Sequence, residues 1–153
     1  MKKFSFELEP LLRMRLWQED QAKRNLGWVQ RDLFKRQEEL EKLLYEREAQ
    51  VLNTPQEDPL LYLTAHAYLD YLDKQKDRKI QQIENLEKNL EKKREELQKA
   101  IVDRKKLDQL QDKAKEEYRI ETNRQEAKRL DEVAGDRSWQ QDAQEEPDGG
   151  AVS

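Results

Sequence analysis

The residue types able to do chemistry are few in this 153-residue chain, and none is set in a pattern that supports a reaction. His66, the sole histidine, has Asp70 one turn on. Two ligands without a third or fourth donor make a poor metal site, and a solvated helix face accounts for them better. Glu38-Glu39, Glu95-Glu96 and Glu116-Glu117 offer carboxylates, but acid–base catalysis needs a pocket that shifts a pKa, and this chain has few apolar residues to line one. There is no cysteine, so neither a disulfide nor a thiolate metal site can form. Gly27 falls in a helical stretch and Gly135, Gly149 and Gly150 toward the tail, where none builds a phosphate-cradling loop. The residues predict no enzyme, no cofactor and no metal.

The elements that would carry these residues are dictated by composition. Charged residues make up 42% of the chain and hydrophobic ones 35%, with a mean hydropathy of -1.26. That is too little apolar surface for a layered core, and one elongated unit is expected rather than two domains. The apolar residues keep helical phase, which a disordered chain would lack. Thirty basic and 34 acidic residues are interspersed, for a net charge of -4; this argues against a nucleic-acid-binding stripe and suits solvated helix faces. Met1-Lys2-Lys3-Phe4 opens like a targeting segment, but Glu7 and Glu9 interrupt it before an apolar run forms, and no later run is long enough to span a membrane. A cytoplasmic protein without direct membrane insertion is expected.

Leu69, Leu72, Ile83, Leu86, Leu90, Leu97, Ala100, Leu107, Ala114 and Tyr118 fall on one narrow seam, the mark of a coiled-coil strand. A second seam reads Leu8, Leu12, Arg15, Glu19, Ala22, Leu26, Val29, Leu33, Arg36, Leu40, Leu43, Arg47. Between them, Asn53–Pro59 contains two prolines and is the one clear turn. Asp58 is the expected N-cap, with Pro59 at the first helical position. The fold class expected is all-α: an elongated two-helix antiparallel coiled-coil hairpin with a longer second helix. Helix one covers about 8–52, the turn about 53–59 and helix two about 60–134. A helical hairpin over 1–137 precedes a disordered acidic tail, 138–153, which contains Pro147, Gly149 and Gly150.

If the turn is centred on Gln56, facing residue numbers sum to 112, which opposes Leu12 to Ala100, Val29 to Ile83 and Leu43 to Leu69. Glu19 then meets Lys93 in an opposite-charge layer that sets the register. The same register opposes Arg36 to Lys76 and Arg15 to Leu97, so those long side chains must snorkel to the seam edge. Leu8 would face Arg104, leaving ~30 residues of helix two, on the order of 45 Å, unpaired and in need of a partner. Trp17 and Trp28 lie beside the seam, where such rings shield seam edges more often than they bind partners.

The residues carry a resemblance. The opening Phe4-x-Phe6-x-Leu8-x-x-x-Leu12-x-x-Arg15-x-x-x-Glu19-x-x-Ala22 resembles the start of the flagellar FliJ family. Arg104-Lys105-x-Leu107, followed by Tyr118, Glu121, Arg124, Glu126, Lys128, Leu130-Asp131-Glu132-x-Ala134-x-x-Arg137, resembles its C-terminal signature. The segment Leu107-Asp108-Gln109-Leu110 departs from members that carry an aromatic there. The resemblance implies a non-enzymatic stalk or adaptor of the bacterial flagellar type III export apparatus, peripheral at the cytoplasmic face of the inner membrane and needed for flagellum biogenesis, motility and chemotaxis. It implies three kinds of partner: the hexameric flagellar export ATPase, the cytoplasmic domain of an export-gate membrane protein, and flagellar export chaperones. On that basis Arg104, Leu107, Glu121, Arg124, Glu126, Lys128, Leu130, Asp131 and Glu132 are the candidate ATPase-ring contacts, and Tyr68, Tyr71 and Leu72 the candidate gate contacts. A generic helical-hairpin scaffold or holdase-like chaperone is the alternative.

Overall fold

The computed structural model describes residues 3–145. Two helices account for nearly all of them: α1, Glu9–Leu52, and α2, Pro59–Glu145. The chain enters α1 through backbone hydrogen bonds from Glu9 N–H to the Phe6 carbonyl and from Leu12 N–H to the Leu8 carbonyl. Pro10 sits in the first turn, where its missing N–H costs nothing. At the other end the Thr54 hydroxyl donates to the Gln50 carbonyl at 2.7 Å. Asp58 caps α2 as its type and place predict: its carboxylate accepts the Leu60 N–H at 3.0 Å, and its carbonyl accepts the Tyr62 N–H.

The second helix continues to Glu145, past the expected end near residue 134. Gly135 stands within it without a positive φ, a helical glycine that costs about 1 kcal/mol relative to alanine and does not break the helix. No proline follows before Pro147. The rest of the expected tail, 146–153, lies outside the described residues.

The chain divides into two compact units. Residues 13–105 form an antiparallel pair of helices held by a seam in strict heptad phase. On α2 the side chains withdrawn from solvent recur at Ala65, Leu69, Leu72, Lys76, Lys79, Ile83, Leu86, Leu90, Lys93, Leu97 and Ala100. On α1 they recur at Arg15, Glu19, Ala22, Leu26, Val29, Leu33, Arg36, Leu40, Leu43 and Arg47. The alternation of three and four residues is the coiled-coil period, and Leu72, 2% exposed, is its most buried member. Both seams coincide with those read from the sequence.

The register differs. Glu39 accepts from Lys79 at 2.5 Å, Arg47 donates to Asp73 at 2.5 Å, and Arg15 pairs with Asp103 at 3.6 Å. These partners' numbers sum to 118 or 120, one heptad beyond the expected 112. Glu19 is therefore bonded by Arg104, not by Lys93, which bonds Glu96 of its own helix at 3.2 Å. A shift of one heptad keeps apolar positions on the seam, so apolar pattern alone does not exclude it. Two local features decide it. The expected register sets Arg36 against Lys76, whereas here Arg36 lies beside Asp32 and Glu39, 3.8 and 3.5 Å away, on its own helix. The turn is also not the symmetry point: Pro59–Thr64 emerges fully exposed and the first buried residue of α2 is Ala65.

The other unit, residues 1–12 with 106–153, repeats the arrangement on a smaller scale. Leu12 and Leu107 are buried, Gln111 donates to Glu9 at 3.3 Å, and the Phe4 ring meets Tyr118 edge-on at 5.4 Å. Helix two is therefore partnered as far as Tyr118, not left unpaired from Arg104.

Two predictions follow from register and helix composition. Glu19→Arg should lower the melting temperature, and adding Arg104→Glu should recover most of the loss, with a coupling of about 0.5–3 kcal/mol, while adding Lys93→Glu should recover none. Gly135→Ala meets no atom within 4 Å, so circular dichroism should report a more stable α2, by up to about 1 kcal/mol.

Candidate functional site

The grooves along the seam are open ones: Arg15, Trp17, Ala22, Glu96, Ala100 and Asp103 line one of them. Among the described residues no group of three or more His, Cys, Asp and Glu side chains could hold a metal. His66 instead packs edge-on against Tyr62 at 4.3 Å. No described helix is long and apolar enough to cross a membrane.

The candidate ring-contact residues separate into two groups. Leu107 is buried at 6% exposure, and Arg104 is engaged with Glu19. Both serve helix pairing, Leu107 from the seam and Arg104 through a side chain that stays 24% exposed. Glu121, Arg124, Glu126, Lys128, Leu130, Asp131 and Glu132 are all exposed. From residue 123 to 142 every side chain is exposed, and the polar links are within the helix, such as Gln125 to Glu121 at 3.4 Å and Arg124 to Glu121 at 3.9 Å. Leu130, Val133, Ala134, Arg137, Ser138 and Gln141 line a shallow surface groove there.

Beyond the turn, Leu72 belongs to the seam and is withdrawn as a gate contact. Tyr68 and Tyr71 stand outside it, stacked at 6.2 Å with 22° between ring planes. The Tyr68 hydroxyl donates to Glu46 of α1, which holds the ring in place and raises the phenol pKa. Tyr71 is 55% exposed. Sequence reasoning missed the apolar surface next to it: Val51, Leu52, Leu60, Leu61 and Leu63 are 49–79% exposed. The signal was legible as five large apolar residues flanking a turn that the seam does not reach.

Polar pairing along the hairpin sets how it responds to acid. Burial opposes ionisation of Glu19, but hydrogen bonds from Arg104 and Lys23 more than offset it, leaving the carboxyl below its ordinary range. Hydrogen bonds from Lys79 and Arg47 likewise lower Glu39 and Asp73.

The family comparison bears on all these surfaces. The sequence profile described as Flagellar FliJ protein matches residues 4–143, nearly the whole chain and both helices. The chain belongs to the FliJ family. This FliJ-family protein is accordingly a flagellar export-related protein, of a family whose members are non-enzymatic components. No curated protein and no solved structure matches it.

Because Glu19, Glu39 and Asp73 have folded-state pKa values below their ordinary ones, their contribution to stability is complete above the ordinary values of 4.5, 4.5 and 3.8. It is lost as pH falls through the lowered values. A melting series should be nearly level from neutral pH to about 5 and fall below it, and Glu19→Gln should flatten the acid limb while lowering the plateau.

Proposed function

We propose that this FliJ-family protein is a coiled-coil stalk and adaptor of the flagellar type III export apparatus, working at the cytoplasmic face of the inner membrane. In this reading it engages the ring of the hexameric flagellar export ATPase and raises its turnover, while a second surface meets the cytoplasmic domain of the export gate. Flagellar export chaperones are its other partners. The observation that carries the reading is that the family-like residues Glu121, Arg124, Glu126, Lys128, Leu130, Asp131 and Glu132 all lie where α2 has no buried side chain. A helix this polar gains little from packing of its own. Mixed charges can instead engage a ring through several weak contacts that form and release without a large desolvation cost.

The gate surface is assigned to Tyr68, Tyr71 and the neighbouring exposed leucines. Large aromatic and apolar side chains on a fixed helical frame are the groups that dominate partner binding. Arg104 and Leu107 support both surfaces indirectly by holding the helices together.

Truncation after Asn123 separates contact from scaffold, because it keeps Tyr118, which packs on Phe4, and removes residues whose described side chains are all exposed. Helicity should fall in proportion to the residues removed, the melting temperature should change little, and stimulation of the cognate hexameric ATPase in a coupled assay should be abolished. Full stimulation by the truncated chain would refute the ring assignment; suppression of aggregation by the intact chain without any ATPase effect would favour a holdase. For the gate surface, Tyr71→Ala should weaken binding to the gate's cytoplasmic domain by roughly tenfold or more and reduce motility, with the melting temperature held.

A further inference from the structure

One face of α1 carries large aromatic and basic side chains that remain exposed in the helix pair. Trp17 and Trp28 stand eleven residues apart, about three helical turns, and Trp17 also lines the groove beside the seam with Ala22, Glu96 and Ala100. The two Trp residues are 62% and 65% exposed. Arg13, Arg24, Arg31 and Lys35 share that face and are exposed, and the Arg31 guanidinium lies 4.9 Å from the centroid of the Trp28 ring. Residues 13–36 contain seven basic and three acidic side chains, a net +4 in a chain whose overall charge is -4. Rings set only to shield the seam would lose most of their surface to it, and these do not. Gly27 lies beside Trp28 without a positive φ, and an added Cβ would meet only Arg31 Nη2, at 3.7 Å. It costs the helix about 1 kcal/mol without serving the hairpin, and it leaves the backbone there open to close approach.

The complement of this face occurs in the same chain. Residues 130–142 hold Asp131, Glu132, Asp136 and Asp142 against Arg137, a net -3. On one stripe of that helix stand Leu130, 60% exposed, Val133, 42% exposed, and Ala134, continuing to Gln141. From Leu130 to Gln141 is again eleven residues. Stripe length, helical phase and charge sign therefore correspond.

We propose that the Trp17–Trp28 face of α1 is a docking surface for the Leu130–Asp142 segment of a second copy of this chain. One Trp ring covers Leu130 and Val133 and the other, three turns away, the Ser138–Gln141 end of the same stripe, while Arg24, Arg31 and Lys35 meet the acidic flanks of the incoming helix. Each Trp contributes on the order of 100 Å² of newly covered surface, given the 150–250 Å² such rings bury when enclosed. A two-fold pairing would make the contact twice. A protein helix fits this face better than a nucleic acid does. Asp20 and Asp32 interrupt its positive charge, and the chain as a whole, with a pI of 5.3, repels polyanions. The inference stands apart from the ATPase reading, although both draw on the end of α2, so self-association and ring engagement would compete.

Sedimentation equilibrium of the full chain across roughly 1–200 µM tests this, a range in which modest interfaces associate. A concentration-dependent dimer that weakens as salt rises is expected. Trp17→Ala with Trp28→Ala should weaken it tenfold or more with the circular dichroism spectrum unchanged. Arg24→Glu with Arg31→Glu should give monomers, and so should Asp131→Lys with Glu132→Lys and Asp136→Lys. Mixing those two charge-reversed proteins should restore a heterodimer, an outcome that misfolding of either could not produce. A monomer at every concentration overturns the proposal, as does a dimer indifferent to all three variants. A monomer that binds a single-stranded oligonucleotide through Trp17 and Trp28 would replace it with a nucleic-acid site.

Discussion

The structure depends on pairing two helices whose apolar seams are too narrow and too often interrupted to specify one alignment by themselves. Leucine layers every three or four residues stabilise contact between the helices, but they do so almost equally well after a slip of one heptad. Uniqueness falls to the charged residues at the seam. Glu19 is the clearest case: its side chain is 8% exposed and is bonded by Arg104 across the pair and by Lys23 along its own helix. A buried carboxylate is tolerable only when paired in this way, and an alignment that separated it from Arg104 would remove its cross-helix partner. Lys79 with Glu39 and Arg47 with Asp73 apply the same constraint farther toward the turn.

That division of labour explains why the surfaces available to partners lie off the seam. Side chains spent on pairing, such as Leu72, Leu107 and Arg104, are withdrawn from solvent or engaged with the other helix. What remains falls into three sets: the stacked tyrosines and leucines beyond the turn, the tryptophan and basic face of α1, and the charged end of α2. Each sits on a helix whose backbone is already satisfied by its own hydrogen bonds, so recognition needs little further ordering of the chain. Separate surfaces of modest size suit the stalk-and-adaptor role proposed above, since each contact can be weak without compromising the fold.

Much of this was legible from residue types. The heptad phase of both seams, the Asp58 cap and the start of each helix follow from local rules that neighbouring residues suffice to apply. The flagellar character was carried by the two end motifs, and the family match over residues 4–143 bears it out. Local rules are less decisive at the end of α2. Gly135 and a run of acidic residues read as a stop, yet neither forbids helical φ and ψ, and the helix proceeds to Glu145.

The sequence by itself determined that this protein would be two helices, where each would turn its apolar side, and that its function would be exercised at its surface, because these depend on spacing along one chain. Only the tertiary structure decided which residues oppose one another. Glu19 with Lys93 and Glu19 with Arg104 are both attractive pairs on paper, and both keep the seams in phase. The choice depends on all the charged layers at once and on how Pro59–Thr64 carries the chain past the end of α1 before Ala65 is buried. With it went the fate of Arg104 and Leu107, which the alignment draws into pairing, and of residues 123–142, whose side chains it leaves exposed.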